Sequence, residues 1–244
     1  MVKTVLRGMV LVLALALAGP TVAQDEVAVS AGLDVVSDYI WRGQLLNDDG
    51  AAQPWVNVGY GAFTFNLWGS VDIDDTPNDA QWEFTEVDLT ASYSVPVGEF
   101  YGLDLGVIYY DFPNTGGGNT LELFATFTFL DVAFTPFVSL YYDIDAIEGF
   151  YLQAGGSYGQ DMETWSWNLV LSVAAGSEDY NTGYFGVADF GLNDVTAKFT
   201  ATYPVMENLD LTASVTGSLM LSDVGDAVAE DSNFGLGVGA SYSF

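Results

Sequence analysis

The sequence predicts an all-β fold, an up-and-down antiparallel transmembrane β-barrel of about twelve strands after an N-terminal signal peptide. Three observations predict it. Apolar and polar residues alternate with period two along most of the 244 residues. Short turns and longer loops alternate between the predicted strands, and the chain ends on an alternating apolar segment with a terminal phenylalanine. Such alternation gives the two faces of a strand different environments, as a barrel between lipid and a polar interior requires.

The first residues have the composition of a secretory signal peptide. Two bases precede an apolar run at residues 9–18, and small residues before position 24 form an acceptable cleavage site. The apolar run is too short for a membrane-spanning helix, which needs about 20 residues. We therefore expect a signal peptide at 1–23 and one outer-membrane barrel domain at 24–244.

The remaining chain divides into twelve alternating segments. In the first, 27–42, the odd positions are mostly apolar, whereas the even positions are mainly polar or small. The pattern is clearest in 195–203 and 209–221, where threonine, serine and aspartate occupy one face. Period-two alternation predicts strands. We expect them at 27–42, 53–60, 62–73, 82–95, 100–111, 119–129, 132–143, 148–159, 163–174, 193–203, 208–221 and 232–244.

The predicted connections fall into two classes that alternate along the chain. Short turns follow the even-numbered strands, and longer polar loops follow the odd-numbered ones, at 43–52, 74–81, 112–118, 144–147, 175–192 and 222–231. This arrangement is typical of an outer-membrane barrel with both termini in the periplasm. A secreted β-sandwich is the alternative, but it would not explain strictly alternating connections or a terminal Phe244.

Aromatic residues collect near both ends of the predicted strands, as in the two interfacial girdles of membrane barrels. Near the long loops we place Tyr39, Trp41, Tyr109, Tyr142 and Trp165, and near the short turns Phe63, Tyr93, Tyr101, Phe129, Phe134, Tyr158 and Tyr203. The expected location is the bacterial outer membrane. The expected partners are outer-membrane lipid and, through the C-terminal strand ending at Phe244, the barrel-assembly machinery.

Composition excludes several functions. The chain has 33 acidic and 4 basic residues, no cysteine and no histidine. Nucleic acid binding needs many lysines and arginines, and neither a Ser-His-Asp triad nor the usual zinc ligands can be assembled. Glu86 and Asp88 are two apart on a predicted strand, which favours ordinary lumen neighbours over acid and base catalysts. We expect no enzyme activity and no cofactor.

Four stretches carry a family resemblance. Residues 37–43 contain S-x-Y-x-x-R-G, 68–70 contain W-x-S, 86–88 contain E-x-D, and 104–122 contain D-x-G, then Y-x-x-P, then Glu122. In this order they resemble the TorF-like porin family, also catalogued as Gcw_chp, over roughly residues 27–125. The resemblance implies an outer-membrane barrel, in a family whose transported solute is not established.

The strand phases place the motif and charged residues on the lumen face. A lysine or arginine facing lipid at mid-depth costs about 2–4 kcal/mol, which also favours inward placement. The predicted pore-lining residues are Asp34, Asp38, Arg42, Trp68, Glu86, Asp88, Asp104, Glu122, Lys198 and Asp210. They could instead serve only as internal salt bridges and hydrogen bonds. Twelve strands lie between filled barrels of about eight and open ones of about sixteen, and the bulky Trp68, Trp82 and Tyr110 favour a constricted interior.

Two functions remain after these exclusions. An acidic lumen attracts cations and repels anions, which predicts passive diffusion of small solutes with cations favoured. The alternative is a non-conducting structural or surface-interaction barrel. Its acidic outer loops, within 72–79, 143–148 and 223–231, would then engage divalent cations or partners. These clusters lack the EF-hand pattern, so solvated loops are favoured over a metal site.

Overall fold

The computed structural model describes residues 27–74 and 81–244, whose strands close into an antiparallel barrel. The strands are β1 (Ala28–Val36), β2 (Tyr39–Trp41), β3 (Gln44–Asn47), β4 (Ala51–Tyr60), β5 (Phe63–Asp72), β6 (Phe84–Val95), β7 (Tyr101–Asp111), β8 (Thr120–Phe129), β9 (Pro136–Asp143), β10 (Phe150–Asp161), β11 (Ser166–Gly176), β12 (Gly191–Met206), β13 (Leu209–Met220) and β14 (Ser232–Ser243). Strands β1 and β4–β14 form the wall, so the prediction of twelve strands is confirmed.

The wall closes through β1, which pairs with β4 on one side and with β14 on the other. Leu33 lies opposite Pro54 and Ala240 in these two ladders. The connections alternate as predicted between shorter and longer segments, except that β9 begins at Pro136 and not at 132, so the β8–β9 connection at 130–135 is as long as the β9–β10 connection at 144–149. Trp165 is an exception to the predicted girdles. It lies in the tight β10–β11 turn, where its carbonyl accepts a hydrogen bond from the Met162 N–H at 2.8 Å, and not beside a long loop.

The outward side chains of the wall are apolar and exposed. Leu105, Leu211 and Val238, for example, are 44%, 46% and 63% exposed. At the short-turn end, the rings of Phe63 and Tyr93 lie 4.8 Å apart. An apolar surface that surrounds a closed barrel is far larger than the patches of soluble monomers, and it has the character of a surface covered by lipid.

The first predicted strand is shorter than expected. The wall strand β1 ends at Val36, where Ser37 exchanges backbone and side-chain hydrogen bonds with Leu236 at 2.8 and 2.9 Å. The chain then turns into the barrel and forms the β2–β3 hairpin before it returns as β4. The predictions of one strand at 27–42 and an outer loop at 43–52 are therefore wrong. Tyr39 and Trp41 belong to this hairpin and not to an interfacial girdle.

Two short helices, α1 (Glu178–Phe185) and α2 (Ser222–Ala227), lie in the long segments after β11 and β13. Helix α1 begins after Ser177, whose hydroxyl accepts from the Tyr180 N–H at 3.2 Å, and ends at Gly186 with a φ of 71°. In the described ranges no helix is long and apolar enough to cross a membrane. The predicted signal peptide at 1–23 lies outside the described residues.

Candidate functional site

The tip of the β2–β3 hairpin is a two-residue turn, because Trp41 pairs directly with Gln44. Arg42 and Gly43 both have positive φ, 47° and 82°, as tight hairpin turns of the I′ type require. A Cβ atom at residue 43 would lie only 2.5 Å from the Cβ of Asp194 and 2.7 Å from the Met220 sulfur. Only glycine fits here, so the tip is wedged against the β12 and β13 wall.

Arg42 forms a buried ion pair across the barrel interior. Its two guanidinium nitrogens donate to the Glu122 carboxylate on β8 at 2.6 and 2.9 Å. The side chains are only 8% and 3% exposed. The Tyr110 hydroxyl donates to the same carboxylate at 3.2 Å. Bidentate arginine–carboxylate contacts are among the strongest hydrogen bonds in proteins, so this pair fixes the hairpin to the opposite wall.

Aromatic rings surround the Arg42 guanidinium. Its central carbon lies 4.4 Å from the ring centres of Trp41 and Tyr141, 4.7 Å from that of Tyr151 and 5.9 Å from that of Tyr180. Cation–π contacts strengthen when water is excluded. Tyr180 comes from α1, and burial raises the pKa of its phenol to about 12.

Other hydrogen bonds fix the hairpin around the rest of the wall. The Gly43 carbonyl accepts from the Ser218 hydroxyl and the Asn233 amide, each at 2.8 Å. The Tyr39 hydroxyl donates to Glu86 at 2.9 Å, and the Tyr39 ring lies 5.5 Å from that of Trp68. The hairpin therefore reaches from β6 and β8 on one side of the lumen to β13 and β14 on the other.

The α1 segment closes over this arrangement from the long-loop end. Asn181 and Asn193 join it to the wall through a side-chain hydrogen bond of 2.8 Å. Beneath it, the Tyr151 hydroxyl donates to the buried Asp194 carboxylate at 2.6 Å. The long-loop half of the interior thus contains a buried, hydrogen-bonded cluster built around Arg42, Glu86, Glu122 and Asp194.

The short-turn half of the interior is different. Asp104 accepts from the Ser94 hydroxyl at 2.5 Å, and Asp210 lies on the same face of β13 as Thr212 and Ser214 because alternate residues share a face. Both carboxylates are half-buried, and Lys198, at mid-depth on β12, is exposed to the lumen. Among the described residues, Arg42 and Glu122 form the only ion pair, so Lys198 has none.

The predicted pore-lining residues thus occupy several environments. Arg42, Glu86, Glu122 and Trp68 meet at the hairpin, with Asp88 beside them on β6 opposite Trp68. Asp34 accepts from the Trp55 indole at 3.0 Å. Asp38 lies in the bend before the hairpin, and not on a wall strand as predicted. Trp82 was expected to point inward, but it lies in the β5–β6 connection and is 66% exposed.

Several interior residues were missed because they stand at strand ends and were grouped with the acidic clusters of the outer loops. Asp72 accepts from the Asn47 amide at 2.6 Å, and Asp143 accepts from the Thr120 hydroxyl at 2.6 Å. Both are buried. Asp194 and Tyr151 fall on the inward phase of their strands, so strand phase alone could have found them. Within 27–74 and 81–244, no group of three or more acidic side chains is placed to hold a metal ion.

Comparison with known proteins agrees with the architecture. The profile of a family described as a bacterial protein of unknown function (Gcw_chp) matches residues 21–222, well beyond the 27–125 resemblance. No curated protein matches the sequence. Among solved structures, the NanC porin has a TM-score of 0.54 at 9% identity, covering 90% of this chain and 100% of that one. The KdgM porin, in complex with disordered oligogalacturonate, scores 0.55 at 10% identity, covering 89% and 99%.

A third structure, an outer membrane channel from Pseudomonas putida F1, has a TM-score of 0.53 at 12% identity. The alignment covers 93% of this chain and 100% of that channel. At such low identities the similarity shows the fold alone, a closed twelve-stranded antiparallel barrel like those of these outer-membrane channels. The solute and the residues that line the lumen follow only from the side chains of this chain.

Proposed function

Because the chain belongs to the Gcw_chp family and has the barrel fold of outer-membrane channels, we propose that it is an outer-membrane, porin-like channel for passive diffusion of small solutes, with cations favoured. Export by the 1–23 signal peptide, insertion through the strand ending at Phe244 and the closer kinship with TorF-like porins belong to the same proposal. No enzyme activity is part of it.

The charge of the interior is the observation that carries the proposal. Asp34, Asp104 and Asp210 project from the wall strands toward the lumen, whereas Lys198 is the only base of the described residues outside the Arg42–Glu122 pair. Carboxylates in a narrow, low-dielectric passage concentrate cations and repel anions. For the same reason we do not extend to this chain the acidic oligosaccharide named with the KdgM porin.

The hairpin sets the proposed size limit. Its tip is hydrogen-bonded to opposite walls, and α1 packs against it, so solutes must pass beside a fixed constriction. A porin narrowed in this way conducts ions and small solutes more readily than oligosaccharides. We propose that the residues of the short-turn half, with Asp38 and Lys198 near the hairpin, line the passage.

A non-conducting structural or surface-interaction barrel is the second candidate, favoured by the same hairpin if it fills the lumen completely. The divalent-cation component of that candidate is weak. Asp143 already accepts from Thr120 and from the N–H groups of Asp145 and Ile147, at 2.6, 3.0 and 3.1 Å. Its carboxylate therefore has partners within the protein.

Planar bilayers separate the two candidates. We expect the refolded full chain to give stable current steps, with a reversal potential of cationic sign under a KCl gradient. The double substitution Asp104→Asn with Asp210→Asn removes two carboxylate charges and should move the reversal potential toward the value of a non-selective pore. Glu207→Gln, in the exposed β12–β13 turn, is the matched control and should leave it unchanged. A folded barrel that gives no steps supports the second candidate, and an anion-selective potential contradicts the charge argument.

A further inference from the structure

A small cavity lies inside the barrel between the hairpin and the wall. Its volume is about 190 Å³, and it is lined by Asp38 of the bend before the hairpin, by Tyr39 of the hairpin, and by Gln53, Lys198, Ser214 and Thr216 of the wall. At about 30 Å³ per water molecule, this space holds about six waters or one small solute. It is below the range of about 300–1,000 Å³ of drug-sized ligand pockets.

Opposite charges line this cavity without neutralising each other. Lys198 and Asp38 both border it, yet no ion pair joins them, since Arg42 and Glu122 form the only pair in the described part of the chain. A lysine ammonium is a donor of up to three hydrogen bonds, and a carboxylate is an acceptor. The cavity thus offers a positive group and a negative group to one occupant.

A second observation also indicates a ligand. Gln53 is only 8% exposed, and its side-chain nitrogen is buried without a hydrogen-bond partner. Buried polar groups are normally paired, because an unpaired one loses its hydrogen bonds to water without replacement. Gln53 lines the cavity beside Lys198, and a rotation of its amide toward an anionic group in the cavity supplies the missing partner. The hydroxyls of Ser214 and Thr216 add uncharged hydrogen-bonding capacity.

We infer that this cavity is a binding site for a small zwitterion of the size of a simple α-amino acid, whose carboxylate contacts Lys198 and Gln53 and whose ammonium contacts Asp38. A simple anion suits the site less well, because Asp38 repels it here and Asp34, Asp104 and Asp210 repel it elsewhere in the lumen. A simple cation leaves Lys198 and Gln53 without a partner. A zwitterion has no net charge and satisfies both sides.

The inference rests on the proposed function, since it names the class of solute that such a channel would take. It can nevertheless be tested on its own. Isothermal titration of the folded full chain in detergent with L-alanine should show saturable binding. Propionate, which lacks the ammonium, and ethylammonium, which lacks the carboxylate, should each bind at least about tenfold more weakly, because each loses one charge-assisted contact.

Variants locate the site. Lys198→Gln and Asp38→Asn should each weaken L-alanine binding by about tenfold or more, Lys198→Arg should retain most of it, and Glu207→Gln should leave it unchanged. Heat-modifiable migration on gels verifies that each variant is folded. Propionate binding as tight as that of L-alanine, binding unaffected by Lys198→Gln, or no saturable binding at all would each overturn the inference.

Conductance measured on the same preparations separates this inference from the proposed function. A conducting barrel that does not bind L-alanine overturns only the zwitterion site. A barrel that binds L-alanine through Lys198 and Asp38 but gives no current overturns the channel and leaves the site.

Discussion

The two halves of the barrel interior are built from the same strands but differ in physical character. At the long-loop end, Arg42 and Glu122 are buried, paired and enclosed by aromatic rings. Toward the short-turn end, Asp104 and Asp210 are half-buried, and at mid-depth below the hairpin Lys198 is exposed and has no ion pair. Alternation along a strand determines which side chains face the lumen. The β2–β3 hairpin, which is not part of the wall, determines which of these side chains are buried.

The two bases of residues 24–244 test this difference most strongly. Arg42→Met removes the partner of a buried carboxylate, and leaving Glu122 uncompensated should lower the free energy of unfolding by about 3–5 kcal/mol. Lys198→Met should change it by no more than about 0.5 kcal/mol, because Lys198 is exposed and has no ion pair. Urea unfolding of the chain in lipid vesicles measures both.

Adding Glu122→Gln to Arg42→Met should restore part of the lost free energy of unfolding, because it removes the buried charge. Equal losses of unfolding free energy for Arg42→Met and Lys198→Met would show that the buried, paired base contributes no more to stability than the exposed one.

Two glycines give a smaller contrast. Gly43→Ala places a Cβ against Asp194 and Met220 at a φ of 82°, and should cost about 1–3 kcal/mol in the same unfolding assay. Gly191→Ala, at the start of β12, meets no atom within 4 Å and should change stability by less than about 0.5 kcal/mol. A stable Gly43→Ala chain would mean that the hairpin tip is not wedged against the wall.

The smallest expected effect on stability belongs to the short-turn half. Asp104→Asn keeps an oxygen that can accept from Ser94 and should change the free energy of unfolding by less than about 1 kcal/mol. Its reversal potential in a KCl gradient should nevertheless become less cationic, since one lumen charge is lost. A large loss of stability with unchanged selectivity would assign Asp104 a structural role instead.

Much of this fold could be predicted because the barrel wall depends on period-two alternation, which is local. The hairpin could not, since Tyr39 and Trp41 continue the alternation of β1 and nothing local shows that the strand leaves the wall after Val36. Long-range contacts with Glu86, Glu122 and Ser218 determine its position. Helix α1 is too short for a helical period, although Ser177 before two acidic residues and Gly186 after the helix are capping signals.

The cluster that the motif residues form could not be predicted for the same reason. Tyr39, Arg42, Glu86, Tyr110 and Glu122 all belong to the motifs of the first half of the chain, and in the structure they join the hairpin to the wall. Strand phase indicated that the wall members point inward. The hairpin brings Arg42 to these residues and so forms the buried cluster. The sequence alternation continues through the hairpin and therefore gave no sign of it.

The central claim, a conducting lumen narrowed by an inserted hairpin, is tested most directly by replacing residues 38–49 with a short Gly-Ser linker. The wall should still close, because β1 pairs with β4 and β14 independently of the hairpin. In planar bilayers, the account predicts a higher single-channel conductance than that of the full chain, with cation selectivity retained. A folded, shortened barrel with the same conductance as the full chain would contradict it.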